Sequence, residues 1–259
     1  MTAPGSVTVS VDAGVATIAF GNPGRYNAFT RAMLESTMQA LAEVERDAAV
    51  RVVVLRGQGG HFSAGLNIAE LGVVDDDEAM QRRFVQLEDQ VAALTRPTVA
   101  AVDGYCLGGG MQLALACDIR VATRRAQMAI TPAKLGVIYP ASSVERVVRA
   151  VGSAWARYLL LSAEKVSAEQ AHGIGLIQEL VTVEDLDRRV SSLTEKMVGH
   201  SARTMIAAKQ MIAGAVAGGV EPAVDAYWRE GTNADLEKGL TAFLRRERPD
   251  FRAEPWPAL

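Results

Sequence analysis

The sequence has little of what would mark several large functional classes. Only two cysteines, Cys106 and Cys117, occur in 259 residues, so a disulfide framework is not expected and a reducing compartment fits. Three histidines, His61, His172 and His200, show no zinc-ligand spacing. No apolar run approaches the ~18–20 residues of a membrane span. There is no basic block either: 27 Lys and Arg against 30 Asp and Glu leave a net charge of -3 and a pI near 5.7. That charge gives no electrostatic footprint for nucleic acid. The opening MTAPGSVTVSV lacks the basic-then-apolar pattern of a secretory signal. These absences lead us to expect a cytoplasmic location, no metal, and neither nucleic-acid nor membrane partners.

What is present is core material, with 49% hydrophobic residues, and a pattern of short β-rich runs alternating with helical ones. Residues 7–11 and 15–20 flank Asp12-Ala13-Gly14 and read as a hairpin. Thr30 is a fitting N-cap for a helix that carries Met33, Leu34, Met38, Leu41 and Val44 on one face. RVVVLR (51–56) reads as a buried strand, and Asp75 to Glu78 as a solvated acidic loop. A helix is predicted over 78–94, short strands over 119–122 and 128–131, and a helix over 144–151 that Gly152 stops. Ser167 and Gln170 form a capping-box signal, and 175–183 holds a last strand. Beyond Glu184 the pattern is helical, including 203–217 and a longer run over 222–248. The expected class is α/β, with a core domain over 1–200 and a helical C-terminal region over 201–259.

Two glycine-punctuated turns organise this pattern. One, His61-Phe62-Ser63-Ala64-Gly65-Leu66-Asn67, follows the strand at 52–56. The other, Gly108-Gly109-Gly110, follows the β-rich run 98–102 and opens an apolar helix. A glycine lets backbones approach closely, and a helix N-terminus offers unpaired N–H groups. Such turns serve tight packing or, in a pair, aim two N–H groups at one carbonyl oxygen as an oxyanion hole.

The pair HFSAGLNIAEL and GYCLGGGMQLALACDIRVA, in that order, resembles the crotonase (enoyl-CoA hydratase/isomerase) family. Asn22-Pro23-Gly24-Arg25-Tyr26-Asn27-Ala28 resembles its early CoA-contacting loop, SAEKVSAEQAHGIGLI its core-to-tail link, and AFLRRERP its terminal basic motif. The resemblance covers nearly the whole chain. It implies a spiral of ββα units, tail helices that mediate a homotrimer or hexamer, and an acyl-CoA substrate. No cofactor is implied beyond the CoA moiety of that substrate. It also implies oxyanion donors at the N–H groups of Ala64 and Gly109. Gly108, Leu66, Ile68, Arg25 and Arg246 are then expected to contact the CoA ester, the two arginines at its phosphates.

The sequence departs from the family where hydratases carry two glutamates. The first position, two residues past the glycine triplet, is Gln112, and the second, aligned on Leu135-Gly136, is Pro132. Neither can exchange a proton at neutral pH. No Asp or Glu lies between Asp118 and Glu145. The segment TPAKLGVIY resembles the matching part of methylmalonyl-CoA decarboxylase, with Tyr139 where that family member has a tyrosine. Tyr139 is thus expected to orient a carboxylate or supply a proton, and Gln112 to orient the carboxylate, or else both only to fill the pocket. The implied chemistry is a thioester enolate discharged without the usual glutamates, by decarboxylation of a malonyl-type ester. Hydration or isomerisation with another acid such as Glu145 is the alternative, and a non-catalytic acyl-CoA-binding subunit a third reading. Glu70 is also a candidate acid. Glu145 reads first as a locally paired helix residue, His61 as loop packing, and Trp155, Trp228 and Trp256 as core or interface residues.

Overall fold

The computed structural model describes residues 5–71, 77–230, 234–252 and 256–257. Strands β1 (Ser6–Asp12) and β2 (Val15–Gly21) form the expected hairpin, pairing from Ser6 opposite Gly21 to Asp12 opposite Val15. Ala13 and Gly14, with φ of 46° and 84°, make its two-residue turn, a backbone whose twist suits paired strands. Helix α1 (Arg31–Arg46) begins where Thr30 accepts a hydrogen bond from Met33 N at 3.2 Å. There follow β3 (Val52–Gly57), the single turn α2 (Ile68–Leu71), α3 (Asp77–Ala93), β4 (Thr98–Val102), β5 (Tyr105–Leu107) and α4 (Gly109–Ala116). Then come β6 (Ile119–Thr123), β7 (Gln127–Ala129), α5 (Ala141–Arg157), β8 (Val166–Ser167), α6 (Ala168–Gly173) and β9 (Glu179–Val181). The tail is α7 (Leu186–Val198), α8 (Ala202–Val216), α9 (Pro222–Arg229) and α10 (Ala234–Arg245).

The strand-strand-helix order recurs as β1-β2-α1, β4-β5-α4 and β6-β7-α5. Six strands make one sheet in the order β1-β2-β3-β4-β6-β9, parallel from β2 onward, and β5-β7-β8 make a second. Strand β3 is apolar throughout because both of its faces are covered. Val53 and Leu55 join the main core with residues of α1, α3 and α4, while Val52 and Val54 pack with Leu186, Val190 and Val198 of α7. Tail and core are tied together: Lys209 of α8 reaches Arg96 O at 2.9 Å and Asp118 Oδ2 at 2.7 Å. Trp256 donates to Thr95 Oγ1 at 2.9 Å beneath the guanidinium groups of Arg51 and Arg96. Trp228 is buried as expected, whereas Trp155 is partly exposed.

Several elements differ from the sequence reading. Gly152, expected to end a helix, has φ 73° and breaks the helical backbone, yet the chain resumes a helix to Arg157 and a π-turn to Ser162. Burial of Ala156 and Leu159 gives the resumed turns an apolar seat. The long terminal helix is two, α9 and α10, with residues 231–233 outside the described residues. Of the acidic run, Asp75 and Asp76 lie outside the described residues, and α3 starts at Asp77. Both cysteines are buried free thiols, and burial pushes Cys117 up to about 12 and Cys106 higher still, so neither supplies a thiolate nucleophile at neutral pH. Among the described residues no helix is long and apolar enough to cross a membrane.

Candidate active site

The turn after β3 is laid along β5. Ser63 pairs with Cys106, Phe62 and Ser63 donate to Tyr105 O, and Leu107 N donates back to Ser63 O at 2.9 Å. Asn27 fastens the early loop to the same turn, its Nδ2 donating to Gln58 O at 2.8 Å and His61 O at 2.7 Å. Gly65 then passes directly over the start of α4. Its φ is 91°, and a Cβ there would lie 2.7 Å from Gly109 N and 3.1 Å from Leu107 O. Only glycine fits that approach.

The main-chain donors sort themselves by what they already bind. Ala64 N donates to Tyr26 O at 2.9 Å. The expectation that Ala64 is an oxyanion donor is therefore corrected, because its N–H is spent inside the protein. Leu66 differs. In its parallel bridge to Phe29, Phe29 N donates to Gly65 O (2.7 Å) and Asn67 N donates to Phe29 O (2.9 Å), which leaves the Leu66 N–H out of the ladder. Gly109 is the first residue of α4, after the N-cap Gly108, and such N–H groups have no helical acceptor. Among the described residues neither Leu66 N nor Gly109 N has a hydrogen-bond partner. Gly108 is not a third donor, since its N–H goes to Ala129 O at 2.9 Å.

A side-chain wall rises from the next turn of α4. Gln112, three residues past Gly109 and so on the same side of the helix, donates from Nε2 to Ser143 Oγ at 2.8 Å. Ser143 Oγ donates to Glu88 Oε2 at 2.8 Å, and Arg146 Nη1 reaches the same oxygen at 3.1 Å. Glu88 is fully buried on α3, and burial pushes its carboxyl up to about 7 against the pull of Ser143 and Arg146. Its other oxygen, Oε1, is buried without a partner, as is the hydroxyl of Tyr139. Burial, with the Glu88 charge adding to it, raises the Tyr139 phenol well above its usual value. A buried polar atom left unpaired costs about 1–3 kcal/mol, and two of them beside one hydrogen-bonded chain are uncommon in a protein core.

The model of a family described as enoyl-CoA hydratase/isomerase matches residues 10–254. The chain belongs to this family. It is 29% identical to the 2,3-dehydroadipyl-CoA hydratase of Escherichia coli, over 91% of this chain and 94% of that one. It is also 29% identical to the mitochondrial enoyl-CoA hydratase of Pongo abelii, over 92% and 83%. A solved enoyl-CoA hydratase/isomerase family member superposes with a TM-score of 0.86 at 35% identity, over 97% of this chain and 99% of that one. The crotonase-type α/β fold expected from the glycine turns is thus present, with its helical C-terminal region.

The acids nominated from the sequence are engaged with other groups. Glu145 is exposed and paired with Arg149 at 3.3 Å. Glu70 accepts from Arg31 N at 2.9 Å and from Asn67 Nδ2 at 3.2 Å. His61 spends Nδ1 on Tyr105 N at 3.1 Å and stacks on the Tyr105 ring, so it is a loop-packing residue. Arg25 and Arg246 are exposed, Ile68 is 60% exposed, and Leu66 packs half-buried on the main core. Pro132, expected from the sequence at the second glutamate position, opens a 3-10 turn.

Glu88 is the residue that the sequence reading missed. A signal was there. With Met80, Phe84, Leu87 and Val91 buried along α3, Glu88 stands four residues past Phe84 on the apolar stripe, an acid on a face that should hold none.

Proposed function

We propose that the protein is an acyl-CoA enzyme that seats the thioester carbonyl oxygen between the N–H groups of Leu66 and Gly109. The observation that carries this reading is the contact of Gly65 with Gly109 N, flanked by two uncommitted donors. A thioester oxygen gains negative charge when its acyl chain forms an enolate, and fixed donors stabilise that charge at about 3–4 kcal/mol each. The CoA portion is the only cofactor-like group required, held by Arg25 and Arg246 at its phosphates and by Leu66 and Ile68 along its arm. Leu66→Pro removes one donor and no ladder hydrogen bond. Turnover should fall by about 10²–10³, a larger loss than the weakening of acyl-CoA binding that removal of the Leu66 side chain brings, as read by rate and by titration of the ester. Unchanged turnover would overturn the donor assignment.

The reaction supported best is proton transfer on an unsaturated acyl thioester, of the hydratase or isomerase kind. Glu88 supplies the acid that neither family position offers. Decarboxylation of a malonyl-type ester draws support from the unpaired Tyr139 hydroxyl. It would, however, bring a second carboxylate against Glu88, and like charges in a buried site are strongly unfavourable. Crotonyl-CoA and methylmalonyl-CoA, assayed side by side by mass, separate the two: a gain of water or solvent deuterium on the first supports proton transfer, and loss of CO₂ from the second supports decarboxylation. A protein that binds both tightly and converts neither would be a non-catalytic acyl-CoA-binding subunit. Assembly into a homotrimer or hexamer is proposed through the tail, where Phe243 and Leu244 of α10 are 80% and 81% exposed. Light scattering of the full chain tests that assembly.

A further inference from the structure

We infer that Glu88 is the proton carrier of this site, working through Oε1, while Ser143 and Gln112 act as positioning residues that fix its other oxygen. The inference rests on the thioester reading above and adds to it the group that moves the proton.

The geometry separates the two carboxylate oxygens. Oε2 accepts from Ser143 Oγ and from Arg146 Nη1, whereas Oε1 is buried and unpaired. Ser143 has no freedom to release Oε2, because Gln112 Nε2 occupies its acceptor side at 2.8 Å while its proton points to Glu88. Arg146 is held in turn by Asp89. The carboxylate is therefore gripped on one edge and, though buried, left without a partner on the other. The chain Glu88-Ser143-Gln112 ends one helical turn from Gly109, which carries the proposed enolate oxygen donor.

Charge and burial fit the task. A base for carbon acids works best when its pKa lies near the operating pH. Burial puts Glu88 at about 7, and the bond from Ser143 holds it down from a still higher value. The charged groups facing it are Arg146 from α5 and Asp89 from its own helix, with the Tyr139 phenol from the preceding loop; α4 brings no charged side chain. Gln112 has no proton to exchange and Tyr139 holds its own too tightly, which leaves Glu88 as the group able to cycle.

The step balances without a co-reactant. The C2–H bond of the acyl thioester breaks and its proton forms an O–H bond on Glu88 Oε1. The electron pair of the broken bond forms the C1–C2 double bond, and the carbonyl π pair moves onto the thioester oxygen between Leu66 N and Gly109 N. Return of the proton, to C2 or to a conjugated carbon, regenerates the carboxylate.

The test is deuterium uptake from D₂O into butyryl-CoA and but-3-enoyl-CoA, both of which carry sp3 C2–H bonds, by the full chain, followed by mass. Wild-type exchange should rise with pH through about 7 and level off. Glu88→Gln should lower it about 100-fold or more with thioester binding unchanged, and Glu88→Asp should restore part of it. Ser143→Ala should move the inflection to higher pH, a change that a merely structural serine would not produce. Exchange by Glu88→Gln within threefold of wild type, an inflection unmoved by Ser143→Ala, or no exchange by a wild type that binds both esters would each overturn the assignment. Loss of exchange in Glu88→Gln with none in Leu66→Pro would instead overturn the oxyanion reading and leave Glu88 standing. Failure of the wild type to bind either ester would sink both.

Discussion

The candidate site has two walls, and they are built from different material. One is main chain: Gly65 laid against Gly109, with the N–H groups of Leu66 and Gly109 left over. The other is side chain: Glu88, Gln112, Tyr139 and Ser143, drawn from α3, α4, the loop before α5 and α5 itself. The first wall depends on backbone shape and tolerates almost no bulk. The second depends on which titratable group the packing isolates, and chemical identity decides it.

Adding bulk to the first wall should give the largest effect. Gly65→Ala places a Cβ 2.7 Å from Gly109 N at a φ of 91°, so the turns must part. Turnover should fall by about 10²–10³, and the midpoint of urea unfolding should drop as well. Retained turnover would mean that the two turns need not touch.

The second wall should respond in the opposite sense on stability. The folded protein holds the Glu88 proton to about 7, well above the ordinary carboxylate value of 4.5. Between those values the folded state binds more protons than the unfolded one, so stability falls as pH rises through that window. Glu88→Gln removes this dependence. Urea unfolding at pH 4 and pH 8 should show wild type losing on the order of 3 kcal/mol relative to the variant. Parallel pH profiles would mean that Glu88 titrates normally and that the two walls do not differ in this way.

Tyr139→Phe is a smaller probe of the same wall. It deletes a buried hydroxyl without a partner, so stability should stay within about 1 kcal/mol or rise slightly. Loss of more than that on thermal unfolding would show that the hydroxyl is bonded. The smallest effect belongs to neither wall. Arg25→Ala and Arg246→Ala, on exposed residues, should each raise KM a few-fold with kcat unchanged, as expected of uniform binding contacts.

The first wall was readable along the chain because its causes are local. Gly65 and the triplet at 108–110 need glycine for reasons within a few residues, and the strands before them carry their own β pattern. What could not be read was which N–H each turn spends. Ala64 loses its donor to Tyr26, a residue far earlier in the chain that Asn27 brings there. The tail was legible as helix but was read as one long run, although Glu230-Gly231-Thr232-Asn233 holds no apolar residue and offers the glycine and asparagine that favour a helix end. Glu88 was hidden for a different reason. Its environment is assembled by Ser143 and Arg146, 55 and 58 residues away, and α3 shows in sequence only that an acid interrupts its apolar stripe. A search for acids at the positions that the family resemblance points to finds Gln112 and Pro132 and stops, whereas the burial that tunes a carboxyl can come from any three helices that meet.

The contact between Gly65 and Gly109 also bears on how such a protein could be redirected. Its donors are main-chain atoms, so exchanging side chains at Leu66 leaves them in place unless proline is introduced. A mutant library aimed at new acyl substrates or new reactions therefore loses little by fixing residues 63–66 and 107–110 and randomising 88, 112, 139 and 143 together. The proposed carbonyl grip would persist in every member, and the members would differ in the side chains that face the carbon beside it.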